Sequence, residues 1–402
     1  MPIPSCRKIG TEVYWLSVPD TVTKRFENIW PIPEGVNYNA YLIGSEEEYL
    51  LVDSSKRTTH VQGFINLIKT VVEPSKIKHI AMLHTEPDHS GLIAEIARLL
   101  PNATLYANAR ACAFMQRMFS VEAKAVKDGE LLKVGKRSLR VVDLPWIHWP
   151  DSMFLYLEDD GILFTTDAFG AYGALEKPVF DDEVDSQSYL KLEKDYFSTV
   201  VVGHRTMVAR DFEKVKTAGL NVKMIAPGHG VVLRSKIQHF IETWASWCKL
   251  EKKKKITVVY GSMYGLTERL ARFASEVLRE KVEEIALHDA TAELVNPTMS
   301  DILDSAGVLF VTPTYEANIF PPISNLLELL RVKRLGEGKL AAGLVTKLWG
   351  SAAPVHMASK LKDAAFTLFE PVSEFFNYPS EQELKNIRES LVKFSEKALE
   401  GI

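Results

Sequence analysis

The sequence predicts two domains of mixed α/β class, a two-sheet sandwich flanked by helices (α+β) followed by an open, doubly wound parallel sheet (α/β). The length of 402 residues exceeds that of one ordinary domain. A lysine-rich run at 249–255 has the composition of a solvated connection. Strands predominate before this run, whereas strand, loop and helix alternate after it. We therefore expect one domain over residues 1–251 and another over residues 252–402.

The composition excludes several classes of protein. Apolar residues make up 46% and charged residues 25% of the chain, which is typical of globular proteins and not of disordered or fibrous ones. The net charge of −4 provides no strong field toward nucleic acid or an anionic membrane. No 18-residue apolar run and no apolar signal segment is present, so we expect no membrane span and no secretion. The widely spaced Cys6, Cys112 and Cys248 cannot form a disulfide framework, which favours a reducing cytoplasm.

Short apolar runs set out the elements of the first domain. Runs rich in β-branched and aromatic residues, bounded by turn residues, predict strands. The apolar spacing over 62–72 predicts a helix, and a second helix is expected from residue 92 onward. The predicted strands are 12–16, 38–43, 49–52, 80–83, 104–107, 139–144, 153–157 and 161–164.

The second domain shows a simpler repeat. Apolar strands are predicted at 256–260, 307–311 and 340–345. Each is followed by a loop and then by a helical pattern. A strand–loop–helix unit repeated three times is typical of a parallel sheet with helices on both faces.

Four potential metal ligands lie within six residues, directly after the strand predicted at 80–83. They are His84, Glu86, Asp88 and His89. Because alternate residues of an extended segment point the same way, we expect the first three to face one side and His89 to come from the other. Such a loop could supply two ligands to each of two adjacent metal ions.

Three further residues could complete the metal site. His148 lies in a Trp-Ile-His-Trp-Pro-Asp segment, Asp167 in Thr-Asp-Ala-Phe-Gly and His229 in Pro-Gly-His-Gly. Each follows a predicted strand, where loops usually carry function. Taken alone, a residue of this kind near a turn is more often a hydrogen-bonded structural residue than a metal ligand.

In this chain order, the motifs HxExDH, HWPDS, DAFG and PGHG resemble the metallo-β-lactamase-like domain of flavodiiron proteins (A-type flavoproteins). Zinc hydrolases of the wider fold usually carry HxHxDH, and the carboxylate of Glu86 favours iron over zinc. The resemblance implies an αβ/βα sandwich that holds two irons. The implied ligands are His84, Glu86 and His148 for one iron, Asp88, His89 and His229 for the other, and Asp167 with an oxo or hydroxo group as the bridge.

A candidate phosphate loop follows the strand predicted at 256–260. The backbone N–H groups at the start of the next helix favour a phosphate, and Gly265 allows close approach. Ser262 and Thr267 add hydroxyl groups. The loop lacks GK[ST] and is therefore not a Walker motif. Its position after the first strand of a doubly wound sheet favours phosphate binding.

The loops after the next two strands should meet this loop at the carboxyl edge of the sheet. There, Tyr315 could pack against a flat ring. The segments SMYGLT and PTYEAN resemble the two FMN loops of flavodoxin, while the third loop, at 347–352, departs from that pattern. The implied FMN contacts are Ser262, Met263, Tyr264, Gly265, Leu266, Thr267, Pro313, Thr314, Tyr315, Glu316, Ala317, Asn318, Trp349 and Gly350.

Together, the two resemblances imply a flavodiiron protein of the two-domain kind, without a rubredoxin module. Such a protein reduces O2 to water, NO to N2O, or both, at a diiron site that FMN supplies with electrons. The resemblance also implies a cytoplasmic head-to-tail homodimer, or a dimer of such dimers, and a donor such as rubredoxin or coenzyme F420H2. No nucleic acid or membrane partner is expected.

Two alternatives stay open from the sequence. One is a zinc-dependent hydrolase of the metallo-β-lactamase fold with an appended flavodoxin domain. The other is a flavodoxin-type electron carrier whose first domain is only a scaffold. The metal content of protein purified without oxygen tests the first alternative, because a zinc hydrolase would contain zinc without iron. A complete set of seven metal ligands weighs against the second alternative.

Overall fold

The computed structural model describes residues 4–57, 61–175, 178–292, 294–400 and 402. Its contacts divide the chain into two compact units. One unit comprises Met1–Phe197 and His204–Ala245, and the other comprises Ser198–Gly203 and Ser246–Ile402. No helix in the described ranges is long and apolar enough to cross a bilayer.

The described residues of the first unit contain two large sheets and one small hairpin. The strands are β1 (Ser5–Gly10), β2 (Val13–Asp20), β3 (Arg25–Phe26), β4 (Trp30–Pro31), β5 (Val36–Ser45), β6 (Glu48–Val52), β7 (Ile77–Ala81), β8 (Thr104–Asn108), β9 (Lys124–Val126), β10 (Leu131–Val134), β11 (Arg137–Asp143), β12 (Met153–Leu157), β13 (Ile162–Thr166) and β14 (Met224–Pro227). The first sheet has the order β1-β2-β5-β6-β7-β8-β9, the second has the order β10-β11-β12-β13-β14, and β3 pairs with β4.

The helices of this part of the chain lie between and after these strands. They are α1 (Val61–Lys69), α2 (Pro87–Ser90), α3 (Ile93–Leu99), α4 (Ala109–Phe119), α5 (Ser186–Tyr196), α6 (Arg205–Thr217) and α7 (Ile237–Cys248). Shorter turns are the 3₁₀ segments Pro74–Lys76, Asp181–Glu183 and Val202–His204 and a π-helical turn at Phe197–Val201.

Two apolar cores hold the layers of the first unit together. Residues such as Trp15, Leu139 and Phe164 fill the space between the two sheets. A second core, which includes Phe64 and Ile96, lies between the first sheet and its helices. The prediction of an αβ/βα sandwich is confirmed, because apolar residues on both faces of a sheet require a packed layer on each side.

The second unit is built on a parallel sheet of order β16-β15-β17-β19-β20, in which β21 also pairs with β19 and the short β18 pairs with β17. Its strands are β15 (Lys255–Tyr260), β16 (Glu284–Asp289), β17 (Gly307–Tyr315), β18 (Asn318–Ile319), β19 (Leu340–Lys347), β20 (Thr367–Leu368) and β21 (Ser373–Phe376). Its helices are α8 (Leu266–Arg279), α9 (Val295–Leu303), α10 (Pro321–Lys333), α11 (Ala353–Asp363) and α12 (Glu381–Leu399).

The predicted doubly wound sheet is confirmed. Val258 and Leu309, from the two central strands, pack against Leu270 of α8 and Phe394 of α12. Strand β17 pairs in parallel with β15 on one side and with β19 on the other. Their carboxyl ends therefore lie at one edge of the sheet, where ligands of such folds bind.

Candidate metal centre and flavin site

The candidate metal ligands of the second sheet come from the ends of neighbouring strands. Asp167 directly follows β13, and His229 follows β14, which runs parallel to β13. Thr166 has a φ of +44°, in the left-handed region that non-glycine residues rarely adopt. This backbone turns the chain sharply at the end of β13, so that Asp167 is buried at the sheet edge.

The His84–His89 segment differs from the extended loop expected from the sequence. Pro87 begins the short helix α2, so Asp88 and His89 lie in a helical turn. Proline suits the first position of a helix, because its φ is already helical and its missing N–H needs no partner. The hydroxyl of Ser90 donates to the Thr85 carbonyl oxygen at 2.8 Å and stabilises the turn. The expectation of alternating extended side chains was therefore wrong at Asp88.

Subsite one consists of His84, Glu86 and His148. His148 Nε2 lies 2.8 Å from Glu86 Oε2, and His84 Nε2 lies 3.6 Å from the same oxygen. Asp167 Oδ2 faces this group at 3.0 Å from His84 Nε2 and 3.4 Å from His148 Nε2. Four donor atoms thus converge on one small volume.

Subsite two consists of Asp88, His89 and His229. The Nε2 atoms of the two histidines are 3.2 Å apart, and Asp88 Oδ2 lies 3.4 Å from His229 Nε2. Asp167 faces this subsite with its other oxygen, since Oδ1 lies 3.2 Å from His89 Nε2. One carboxylate therefore stands between the two subsites with one oxygen toward each.

Several buried donor atoms at these subsites lack hydrogen-bonding partners. Within the described ranges, no hydrogen bond reaches His84 Nε2, Asp167 Oδ2 or the carboxylate oxygens of Asp88. Buried polar atoms without partners are costly, and a site with several of them suits an ion. Nitrogen and carboxylate donors in groups of three to four are the ligand types of non-haem iron or zinc. The donor set therefore fits two metal ions.

Residues that the motifs did not indicate orient the histidines. His84 Nδ1 lies 2.8 Å from the hydroxyl of Thr166, and His229 Nδ1 lies 2.8 Å from the carbonyl oxygen of Asn37. An Nδ1–H that donates to a carbonyl leaves Nε2 as the ligating nitrogen. Tyr196 Oη donates to Asp167 Oδ1 at 3.0 Å. No short motif marks Asn37 or Tyr196, because their role depends on distant contacts.

When no metal ion is bound, neighbouring charges in the site strongly shift the pKa values of its side chains. Burial lowers the pKa of His229, but the carboxylates of Asp167 and Asp88 outweigh it and raise the pKa to about 10. Burial raises the pKa of Glu86, but His148 and His84 outweigh it and lower the pKa to about 2. The metal-free site at neutral pH therefore combines ionised carboxylates with protonated imidazoles.

We expect the affinity for ferrous ion to increase with pH. Since the pKa of His229 is raised to about 10, its imidazole holds a proton over the whole neutral range, and metal binding must displace that proton. For each proton released on binding, the affinity for ferrous ion increases by up to about tenfold per pH unit. Anaerobic titration with Fe²⁺ at pH 6.5 to 8.5, in weak buffer, measures both affinity and released protons.

The exposed His239, which belongs to α7 and not to either subsite, provides the control. His239→Ala should leave this pH dependence unchanged. An affinity that is constant across the range, with no acidification on binding, would contradict the prediction.

The second unit has an open cleft at the carboxyl edge of its sheet. Gly265, with a φ of +89°, precedes α8, and in the described part of the chain no side chain caps this helix. The Gly265 N–H donates to Ser262 Oγ at 3.0 Å, and Thr267 Oγ1 donates to the Gly261 carbonyl oxygen at 2.7 Å. The loop is therefore already curved around an uncapped helix N-terminus, which suits the phosphate of FMN.

The cleft brings together part of the predicted FMN set. The predicted residues that line it are Ser262, Met263, Tyr264, Leu266, Thr267, Pro313, Thr314 and Trp349. The side chains of Tyr264 and Trp349 are 92% and 65% exposed, which suits aromatic residues that cover a flat ring. The predicted residues that do not line it are Gly265, Tyr315, Glu316, Ala317, Asn318 and Gly350.

Four lining residues were not predicted, namely Thr346, Lys347, Leu348 and Asn377. Asn377 lies just after β21, and its N–H donates to the carbonyl oxygen of Lys347 at 2.8 Å. The pairing of β21 with β19 thus brings Asn377 to the cleft. Leu348 adjoins the predicted Trp349, but an isolated leucine carries no sequence pattern for flavin binding.

Comparison with known proteins covers nearly the whole chain. Residues 36–230 match the family described as ODP family beta lactamase, and residues 258–390 match flavodoxin. A nitric oxide reductase of Moorella thermoacetica is 29% identical over 361 residues, with 89% of each chain covered. A coenzyme F420H2 oxidase of Methanocaldococcus jannaschii is 29% identical over 398 residues, with 94% of each chain covered.

The solved flavodiiron protein of Giardia intestinalis has the same architecture. It matches with a TM-score of 0.93 and 26% identity, covering 98% of this chain and 97% of that one. Both matched domains and the relatives matched over most of their length agree with the metal and flavin sites described above. The chain therefore combines the same two domains as the flavodiiron proteins, which it resembles over nearly its whole length.

Proposed function

We propose that this chain is an oxidoreductase that reduces O2 to water, NO to N2O, or both, at a diiron centre supplied with electrons by FMN. The observation that carries the proposal is the position of Asp167, whose two oxygens face separate groups of ligands. A carboxylate between two metal subsites suits a pair of ions that act on one small substrate. The relatives named nitric oxide reductase and F420H2 oxidase support both substrates.

The protein side chains would hold and orient the two irons. The ligands we propose are His84, Glu86 and His148 in subsite one, Asp88, His89 and His229 in subsite two, and Asp167 between them, with an oxo or hydroxo group as a second bridge. Tyr196 donates to Asp167 and keeps one carboxylate oxygen oriented. Trp149 packs edge-on against His84 at 6.2 Å and limits the access of water.

The electron count is consistent with the two cofactors. A bound diiron centre would supply two electrons, and reduced FMN would supply two more to restore it. Four electrons and four protons convert O2 to two waters, and two electrons and two protons convert two NO to N2O and water. The glutamate at position 86 favours iron, because a hard oxygen ligand replaces the imidazole usual in zinc hydrolases.

Metal analysis combined with turnover tests this function directly. Protein purified without oxygen should contain two irons and one FMN per chain. It should consume O2 and NO when supplied with reduced rubredoxin or with F420H2, and the two donors should be compared side by side. Zinc without iron would favour the hydrolase alternative, and bound FMN without any turnover would favour the electron carrier.

We expect Ser262→Asp to abolish FMN binding. The Ser262 side chain accepts the Gly265 N–H inside the loop that would receive the phosphate. A carboxylate placed there repels the phosphate dianion, and at a separation of about 5 Å this lowers the affinity by at least roughly a hundredfold. Flavin fluorescence titration of the apoprotein measures the change.

Ser262→Ala is the matched control, because it removes the hydroxyl without adding charge. Its FMN affinity should fall only a few-fold. Similar affinities for the alanine and aspartate variants would contradict a phosphate at this loop.

The family resemblance supports further proposals on assembly and location. We propose a head-to-tail homodimer, or a dimer of such dimers, in which the FMN of one chain serves the irons of the other. Rubredoxin or F420H2 would be the donor. Cys6 and Cys112 are free thiols, which supports a reducing, cytoplasmic location.

A further inference from the structure

The β3–β4 hairpin carries a carboxylate that no sequence motif indicated, beside subsite one. Glu27, Glu86 and His148 each present one ligand atom, and these three atoms lie within 4.8 Å of one another. Atoms that share one ion at about 2.1 Å lie at most roughly 4.2 Å apart. The upper bound on the spacing of the three atoms is therefore close to that of ligands on one ion.

The hairpin is held firmly in this position. The Phe26 ring packs edge-on against the His229 ring with centroids 5.4 Å apart, so the inner side of the hairpin contacts one candidate ligand of subsite two. Trp30 is only 1% exposed, and its Nε1–H donates to Glu27 Oε2 at 2.8 Å. A buried indole thus orients the carboxylate of a residue that otherwise faces solvent.

The backbone at Glu27 is unfavourable for glutamate. Its φ is +49°, and that of Asn28 is +60°. Asparagine tolerates this region, whereas a glutamate there costs about 1 kcal/mol that glycine would avoid. Backbone strain of this kind is found at sites where a side chain has a role.

Glu27 lies at the open side of subsite one. Glu27 also lines the same open cleft as the candidate ligands Glu86 and Asp88. The carboxylate therefore lies on the solvent side of the centre, next to the ligand atoms of subsite one.

We propose that Glu27 is an additional carboxylate ligand of the metal ion in subsite one. This inference rests on the proposed diiron function. Subsite one then has four side chains besides Asp167, whereas subsite two has three. Because the extra carboxylate would fill a coordination position, subsite one would have fewer positions for an external molecule than subsite two.

The test compares Glu27→Gln and Glu27→Ala with Glu34→Gln, a control at an exposed glutamate on the loop before β5. Mössbauer spectra of the anaerobic, ⁵⁷Fe-loaded diferrous proteins report each iron separately, and a ferrous chelator measures iron release. We expect both Glu27 variants to alter one of the two iron signals and to release one iron at least about tenfold faster. Glu34→Gln should behave as the wild type, and all four proteins should keep FMN.

The outcomes separate this inference from the proposed function. Wild-type spectra and wild-type release rates in both Glu27 variants would overturn the role of Glu27 alone. A wild-type protein that binds no iron would overturn both proposals. Faster release of both irons to the same extent would also contradict the inference, since the ligand atoms grouped with that of Glu27 belong to subsite one.

Discussion

Asp167→Ala should remove iron from both subsites and lower O2 and NO turnover by at least about a hundredfold, while FMN stays bound. The substitution deletes the carboxylate that lies 3.0 Å from His84 Nε2 and 3.2 Å from His89 Nε2. It also removes the hydrogen bond that the Tyr196 hydroxyl donates to this carboxylate. Removing one partner of a buried charge network leaves the other groups uncompensated, at a cost of about 3–5 kcal/mol. Iron and FMN per chain, measured together with turnover, check this result.

Asp167→Asn distinguishes the role of charge from that of shape. The amide keeps an acceptor for Tyr196 but has only one oxygen for a metal, so we expect one iron to be lost or weakly held and turnover to stay low. Asp159→Asn serves as the control, because the Asp159 side chain is 59% exposed and lies on a surface turn. Two tightly bound irons and normal turnover in Asp167→Ala would exclude a bridging role.

A mixed dimer should recover activity that neither parent possesses. Asp167→Ala lacks a working diiron centre, and Ser262→Asp lacks FMN, so each homodimer should be almost inactive. In a head-to-tail heterodimer, the FMN of the first chain serves the irons of the second. One of the two electron routes then works, which predicts about half of the wild-type turnover. Two different affinity tags allow the heterodimer to be purified before its O2 and NO consumption is measured.

The reverse arrangement provides the matched control. When both substitutions are placed in one chain and the partner is wild type, neither route across a head-to-tail dimer is complete, and turnover should be almost absent. If electrons instead pass from FMN to iron within one chain, the first heterodimer should be almost inactive. The second heterodimer, with its wild-type chain, should then keep about half of the wild-type turnover. A monomer in light-scattering measurements would contradict the proposed assembly outright.

Local patterns predicted the fold well where they were long and regular. The strand predicted at 153–157 corresponds to β12, and the three strand–loop–helix units correspond to β15, β17 and β19 with their helices. The short strands β3, β4 and β20, of two residues each, carry no recognisable period. They form because pairing with a neighbour compensates for weak local preference.

Predictions for the site were most specific for residue types with few alternative roles. Histidine and carboxylate at close spacing in the His84–His89 segment indicated metal binding without any structure. The helical turn at Asp88 was missed, because the alternation rule assumes an extended chain while Pro87 begins a helix. Glu27 was missed because an isolated glutamate in a turn is usually only solvated.

Side-chain chemistry and a glycine-containing loop are local properties, so the order of amino acids alone defines which groups this protein can offer to a metal and to a phosphate. Which of these groups meet depends on the packing of the folded chain. His148 reaches Glu86 across 62 residues of chain, and His229 reaches the carbonyl of Asn37 across 192 residues. Such contacts depend on how two sheets pack and where parallel strands end, which no local pattern encodes. The same packing places Glu27 beside a centre that its own neighbours in the sequence do not suggest.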